Sequence, residues 1–187
     1  MKKKSLKNYE IRLAGPGEYE DLGRMTARAY EELPGMPGLA EQPDYYSMIQ
    51  DVEGRAALPG ILIFVAVSPG NDLLGGVTFV GNMAYYHSGG SAGENTDYSG
   101  IRLLAVRPGA RNIGVGRALT GACIQRAAQI GRRGVILHTT DSMKVAWKMY
   151  ERMGFSRSPD LDFIQGQLSV FGFRLKLDPA ESNGRNK

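Results

Sequence analysis

The chain has 187 residues, 42% of them hydrophobic and 22% charged, a size and balance that suit one globular domain and exclude disorder or a collagen-like repeat. Its single cysteine, Cys123, excludes an internal disulfide framework and a cysteine metal cluster, and with two histidines, His87 and His138, no metal is expected. The net charge of +4 is modest and is nearly all supplied by Lys2, Lys3, Lys4 and Lys7, so it reads as ordinary surface charge and nucleic acid is not an expected partner.

In chain order, residues 1–8 read as a basic, disordered tail. Polar Ser5, Asn8 and Glu10 interrupt any export signal, so a cytoplasmic location is expected. Tyr9–Ala14 alternates as a strand and ends at Gly15-Pro16-Gly17. Glu18–Leu33 carries Leu22, Met25, Ala29 and Leu33 at helical spacing, and a second helical face follows Asp44 with Tyr45, Met48, Ile49 and Val52. Ile61–Val67 is the longest apolar run, a buried strand far too short to cross a bilayer, and no membrane association is expected. Ser68–Asp72 turns it into a second strand, Leu73–Val80.

Asn82–Ser99 reads as a mobile loop. Ile101–Val106 is strand-like, Gly114–Gly131 a helix, Val135–Thr140 a strand, Ser142–Met153 a helix and Leu168–Leu177 a final strand. The order is βααβββαβα followed by β, placed in one domain at 9–178, with residues 179–187 as a polar tail.

Chemistry concentrates in Arg107-Pro108-Gly109-Ala110-Arg111-Asn112-Ile113-Gly114-Val115-Gly116-Arg117. A strand ends at Val106, a loop follows, and two glycines open a helix. Glycine lets backbone approach a ligand, and the first helical N–H groups form an anion site at the positive end of the dipole. Arg111 and Arg117 add charge, and a diphosphate fits. A dinucleotide fingerprint is the competing reading, since Asp141 ends the next strand where a ribose-binding acid belongs. However, its third glycine position is Leu119, and seven residues separate Val106 from Gly114. A phosphate loop of the Gly-Lys-Ser/Thr kind is absent.

The second motif is Ala146-Trp147-Lys148-Met149-Tyr150-Glu151-Arg152-Met153-Gly154-Phe155. Together, Arg-x-x-Gly-x-Gly and Ala-x-x-x-Tyr-x-x-x-Gly-Phe resemble the GNAT superfamily of acyl-CoA-dependent N-acetyltransferases, with agreement in element order over residues 9–177. The resemblance implies an α/β fold with a mixed, mostly antiparallel sheet, flanked by helices and splayed at the cofactor cleft. It further implies acetyl-CoA as co-substrate. Its pantetheine arm would pair with backbone at Leu104, Ala105 and Val106, and its diphosphate would sit on amides from Asn112 through Ile113, Gly114, Val115 and Gly116 to Arg117, with Ala146 and Tyr150 also at the cofactor. Tyr150 is implied as general acid to the departing thiolate, and a backbone N–H, best Leu104, as the oxyanion donor. No metal is needed.

This chain departs from the family pattern twice. Many members carry a carboxylate base where Gly100 stands, and an asparagine where Met143 stands. Asp97, Glu94 and Asp141 are the substitute candidates for the base, although Thr140, Asp141 or Ser142 reads first as a helix cap. Trp147 reads as packing and His138 as a satisfied core or cleft histidine. The acceptor is expected to be a small-molecule or peptide amine met by Tyr30–Tyr46 and Asn82–Ser99, where Glu31, Glu32, Glu41 and Asp44 could attract a cation. A coenzyme-A-binding sensor without catalysis and a dinucleotide-dependent oxidoreductase are the alternatives.

Overall fold

A computed structural model describes residues 8–177; apart from Asn8, the two expected tails lie outside the described residues. The chain runs through β1 (Glu10–Leu13), α1 (Tyr19–Glu31), α2 (Pro43–Gln50), α3 (Val52–Ala56), β2 (Ile61–Val67), β3 (Leu73–Val80), β4 (Tyr98–Val106), α4 (Val115–Gln129), β5 (Gly134–Thr139), α5 (Lys144–Arg152), β6 (Ser156–Arg157), β7 (Phe163–Gln165) and β8 (Leu168–Lys176). The expected elements are present. Three short ones were not expected. Asp51 breaks the second helical pattern by capping Gly54 N–H at 2.8 Å, which starts α3. β6 and β7 are too short to carry a period and form only because β8 lies beside them.

The sheet order is β1-β2-β3-β4-β5-β8-β6, with β7 attached to β8. Each neighbouring pair is antiparallel except β4 and β5, the one parallel pair. That exception follows from α4, which joins β4 to β5 as a crossover and packs on the sheet. Val115, Leu119, Cys123 and Ala127, at helical spacing, are its buried seam, against Val77, Phe79, Val135 and Leu137. On the other face Leu22 of α1 and Val52 pack against Ile63, Val65 and Val80. Among the described residues no helix is long and apolar enough to cross a membrane.

The segment read as a loop, residues 82–99, carries two helical turns and is anchored in the core at three apolar residues. Helical turns at Met83–Tyr85 and Ala92–Glu94 bury Met83, Tyr86 and Ala92, and β4 already begins at Tyr98. Asn82 caps the first turn by accepting from Ala84 N–H at 3.1 Å. The glycine and serine content suggested mobility, but three apolar anchors outweigh it by burial.

Candidate active site

The central feature is an opening between β4 and β5. They pair from Tyr98↔Gly134 to Ile101↔Leu137 and then separate. A bulge in β4 accompanies the split. Gly76 opposes Ala105 while Thr78 opposes Arg102, so Val77 faces two residues, Leu103 and Leu104. Leu103 takes a left-handed φ of 54° and is buried. The extra residue bends the strand and re-aims the residues that come after it.

Beyond the bulge the backbone alternates in direction. Arg107 N–H donates to the Leu74 carbonyl at 2.9 Å, so Ala105, two residues earlier, also turns its polar groups toward β3. Leu104 and Val106 turn theirs the other way, into the gap. Their side chains are half-buried. The N–H and C=O of Leu104 and the N–H of Val106 are therefore free on this edge, and Ala105 between them holds the strand to the sheet.

Past Val106 the chain makes a tight turn at Pro108–Ala110 and reaches α4 through Arg111–Gly114. Asn112 at φ 64° and Gly114 at φ 92° are both left-handed, which coils the backbone into a concave run of amides. Gly114 caps α4 with no side-chain acceptor, and Ala118 N–H is bonded to its carbonyl at 3.0 Å. The N–H groups of Val115, Gly116 and Arg117 are therefore without helical acceptors. A Cβ at Gly116 would point at Met149, Val106 and Leu104 at 3.6–3.9 Å, which is into the gap. Arg111, Asn112, Ile113 and Arg117 are exposed around this turn. Arg111 Nε donates to the Val106 carbonyl at 3.3 Å and so lies across the end of the free edge. A cleft of about 530 Å³ beside α1 shares Val106 and Arg111 with it.

Tyr150 enters from α5, one turn after half-buried Ala146. Its ring packs edge-on against Phe155 at 5.7 Å. Burial, with smaller contributions from Cys123 and Tyr86, raises its pKa above 10, and no hydrogen bond to another described residue engages its hydroxyl. It remains a protonated, unspent donor at neutral pH. Trp147 is packing, as expected. It stacks edge-on against Phe171 and Phe173 and donates to Glu151 at 2.8 Å.

Gly100 has a physical explanation. A Cβ there would fall 2.3 Å from the Tyr86 ring, so Tyr86 fills the space from which a carboxylate would act. The Tyr86 hydroxyl lies 2.9 Å from His138 Nδ1, and Ser88 Oγ 3.2 Å from the same atom. His138 Nε2 faces the Leu161 carbonyl at 2.9 Å. A carbonyl only accepts, so Nε2 carries the proton and Nδ1 accepts from Tyr86. Burial lowers the His138 pKa below 6.5, aided by Arg102 and opposed by the Leu161 hydrogen bond, so the ring is neutral at pH 7. The Tyr86 ring also carries Arg102, whose guanidinium carbon is 5.8 Å from its centroid.

Two of the substitute bases, Asp97 and Glu94, do not stand at this place. Asp97 pairs with Arg133 at 3.0 Å beyond the start of β4, roughly 20 Å along the strand from Leu104. Glu94 is exposed on its turn. Neither Thr140, Asp141 nor Ser142 caps α5; its cap position is Met143, without a side-chain bond, while Ser142 Oγ donates to the Pro34 carbonyl. Of Glu31, Glu32, Glu41 and Asp44, Glu32 lines the cleft beside α1. Glu32 pairs with Arg28 at 2.9 Å and Glu41 accepts from Gly38 N–H, while Glu31 and Asp44 are exposed. What sequence reasoning missed was the Tyr86–His138–Arg102 group. Gly100 was its only signal, because an absent side chain in a buried strand means that a neighbour occupies the space.

The Acetyltransferase (GNAT) family model matches residues 26–155. A mycothiol acetyltransferase of Cellulomonas flavigena is 30% identical over 152 residues, 79% of this chain and 40% of the relative. The chain thus spans less than half the length of that curated relative. Among solved structures, a GNAT-family acetyltransferase of Staphylococcus aureus superposes with a TM-score of 0.69 at 17% identity, covering 91% of this chain and 99% of that one. The YncA protein of Salmonella typhimurium, solved with its cofactor acetyl-CoA, gives a TM-score of 0.66 at 16% identity, covering 96% and 99%.

Proposed function

As the chain belongs to the acetyltransferase (GNAT) family, we propose that it transfers an acetyl or similar short acyl group from acetyl-CoA directly to an amine. One observation supports this reading: the unpaired edge of β4 and the open N-terminus of α4 border one gap, and the Tyr150 hydroxyl hydrogen-bonds to no described residue.

The residues present fit acetyl-CoA. The amide run from Asn112 to Arg117 is a cradle for a diphosphate, reinforced by Arg111 and Arg117. Gly116 keeps the path along the gap clear of a side chain. The free N–H and C=O of Leu104 and the N–H of Val106 can pair with the amides of a pantetheine arm as an added strand would. When bound, acetyl-CoA supplies an activated acyl thioester.

The rest is done by the chain itself. Leu104 N–H is fixed by the bulge and needs no reorganisation to meet a developing oxyanion. Tyr150 O–H donates to the departing sulfur, and its raised pKa keeps the proton in place until then. With Tyr86 where a carboxylate would stand, the amine arrives neutral or loses its proton to water.

The test is direct. Acetyl-CoA should raise the melting temperature, because a ligand that binds only the folded state stabilises it by mass action. Mixing with a panel of amines should then release free thiol. Stabilisation without thiol release from any amine would leave a coenzyme-A-binding sensor. Stabilisation by NAD and none by coenzyme A would overturn the reading altogether.

A further inference from the structure

Before the bulge, β4 carries a cationic group rich in donors. Arg102 stands on β4 just before the bulge. It is half-buried and donates one N–H to the Tyr86 carbonyl at 2.7 Å. A guanidinium has five donors. Arg12, Arg24, Arg28, Arg107, Arg133, Arg157 and Arg174 each pair with a carboxylate. Arg102 pairs with none among the described residues.

A second cation stands close to it. Arg55 of α3 donates to the Met48 and Ile49 carbonyls, the latter at 2.9 Å, and its Nε is buried with no acceptor. Burial, and then the proximity of Arg102, lowers its pKa to about 10. Asp51 opposes that lowering, but Arg102 has no carboxylate partner among the described residues, and two guanidinium groups brought together are costly to bury. The surroundings add further donors. The hydroxyls of Tyr30 in α1 and Tyr45 in α2 hydrogen-bond to no described residue. Burial raises the pKa of both, that of Tyr45 to about 12, and Arg102 opposes the rise in each. Tyr30 and Tyr45 both pack against the cluster that holds Leu103, the residue after Arg102 on β4.

A guanidinium fork and phenolic hydroxyls share one complement, an anion with two acceptor oxygens. The diphosphate of coenzyme A is not that anion, because its cradle follows Val106 whereas Arg102 precedes Leu104 on the same strand. We propose that the acceptor is a free amino acid, its carboxylate held by Arg102 with the hydroxyls of Tyr30 and Tyr45, and its amine presented to Leu104 and Tyr150. Arg102 and Leu104 are about 7 Å apart along the strand. Both functional groups therefore belong to one small molecule with the amine near the carboxylate. This assignment rests on the acyl-transfer reading and narrows its acceptor.

The experiment compares free L-amino acids with the corresponding amino acid amides and decarboxylated amines, following thiol release from acetyl-CoA. The free acids should be favoured in kcat/KM by about 100-fold or more, since a site built to bind a polar group rejects analogues that lack it. In Arg102→Met that preference should collapse, and Arg102→Lys should restore part of it, with the acetyl-CoA melting shift reporting that both variants are folded. Calorimetry on protein saturated with coenzyme A reads the same preference without turnover, so a failure of acyl transfer is told apart from a failure of this assignment. Amides or polyamines bound as well as the free acids, or a preference untouched in Arg102→Met, would overturn it.

Discussion

The two walls of the cleft are made of different material. The wall running from Leu104 through the Gly114 turn is mostly backbone: free strand groups, uncapped helix amides and a glycine whose missing side chain keeps the path clear. The wall around Arg102 is side chains, contributed by α1, α2, the segment after β3, β4 and β5. A backbone surface recognises what every acyl-CoA shares, and its cost of assembly is paid by the sheet and helix that present it. A side-chain surface can be exchanged residue by residue without disturbing the fold. The first is suited to a constant ligand and the second to a particular one.

The largest break in this comparison should come from Gly116→Asp. It sets a carboxylate at the positive end of α4 and in the gap, and acetyl-CoA affinity measured by calorimetry should fall by about 100-fold or more, roughly 2.7 kcal/mol. Retained affinity would move the diphosphate away from this turn.

Tyr150→Phe tests the proposed proton donor. The ring still packs on Phe155 while the donor is gone, so turnover should drop about tenfold or more, roughly 1.4 kcal/mol of barrier. Affinity for acetyl-CoA should hardly change. Unaltered turnover in single-turnover conditions would make Tyr150 a packing residue.

A matched pair of glycine substitutions sharpens the contrast in stability. Gly100→Ala drives a methyl into the Tyr86 ring at 2.3 Å and should cost about 1–3 kcal/mol in denaturant unfolding. Gly109→Ala, in the turn of the other wall, meets nothing within 4 Å and should be nearly neutral. Equal effects would mean that Tyr86 yields easily and that its contact with His138 is loose.

The smallest expected effect is a pH dependence. The His138 pKa is lowered on folding, chiefly by burial, so between its folded value and 6.5 the unfolded chain binds more protons. Stability from this residue is complete above about 6.5 and is lost as pH falls toward the lower folded value. His138→Gln should flatten that part of the stability-pH curve. A wild-type curve that rises on acidification through the same range would show His138 charged in the fold.

Much of the backbone wall was legible before folding was considered. Arg111, Gly114, Gly116 and the Ala146–Tyr150 spacing are contiguous in sequence, because a turn and a helix start are local structures that their own residues dictate. The strand and helix periods were legible for the same reason, and they placed β1 to β5, α4 and α5. The bulge at Leu103 was not, since it depends on the register of β3 against β4. Nor was the packing of residues 82–99, where glycine and serine content outweighed three apolar anchors. The side-chain wall escaped most completely. Tyr30, Tyr45, Tyr86, Arg102 and His138 are scattered over more than a hundred positions, and no local pattern joins them. The packing of α1 and α2 against β4, and the parallel pairing of β4 with β5 with Tyr86 over the bare backbone of Gly100, bring them together. Long-range packing decides which side chains share a space, and it is written in volumes and contacts rather than in spacing.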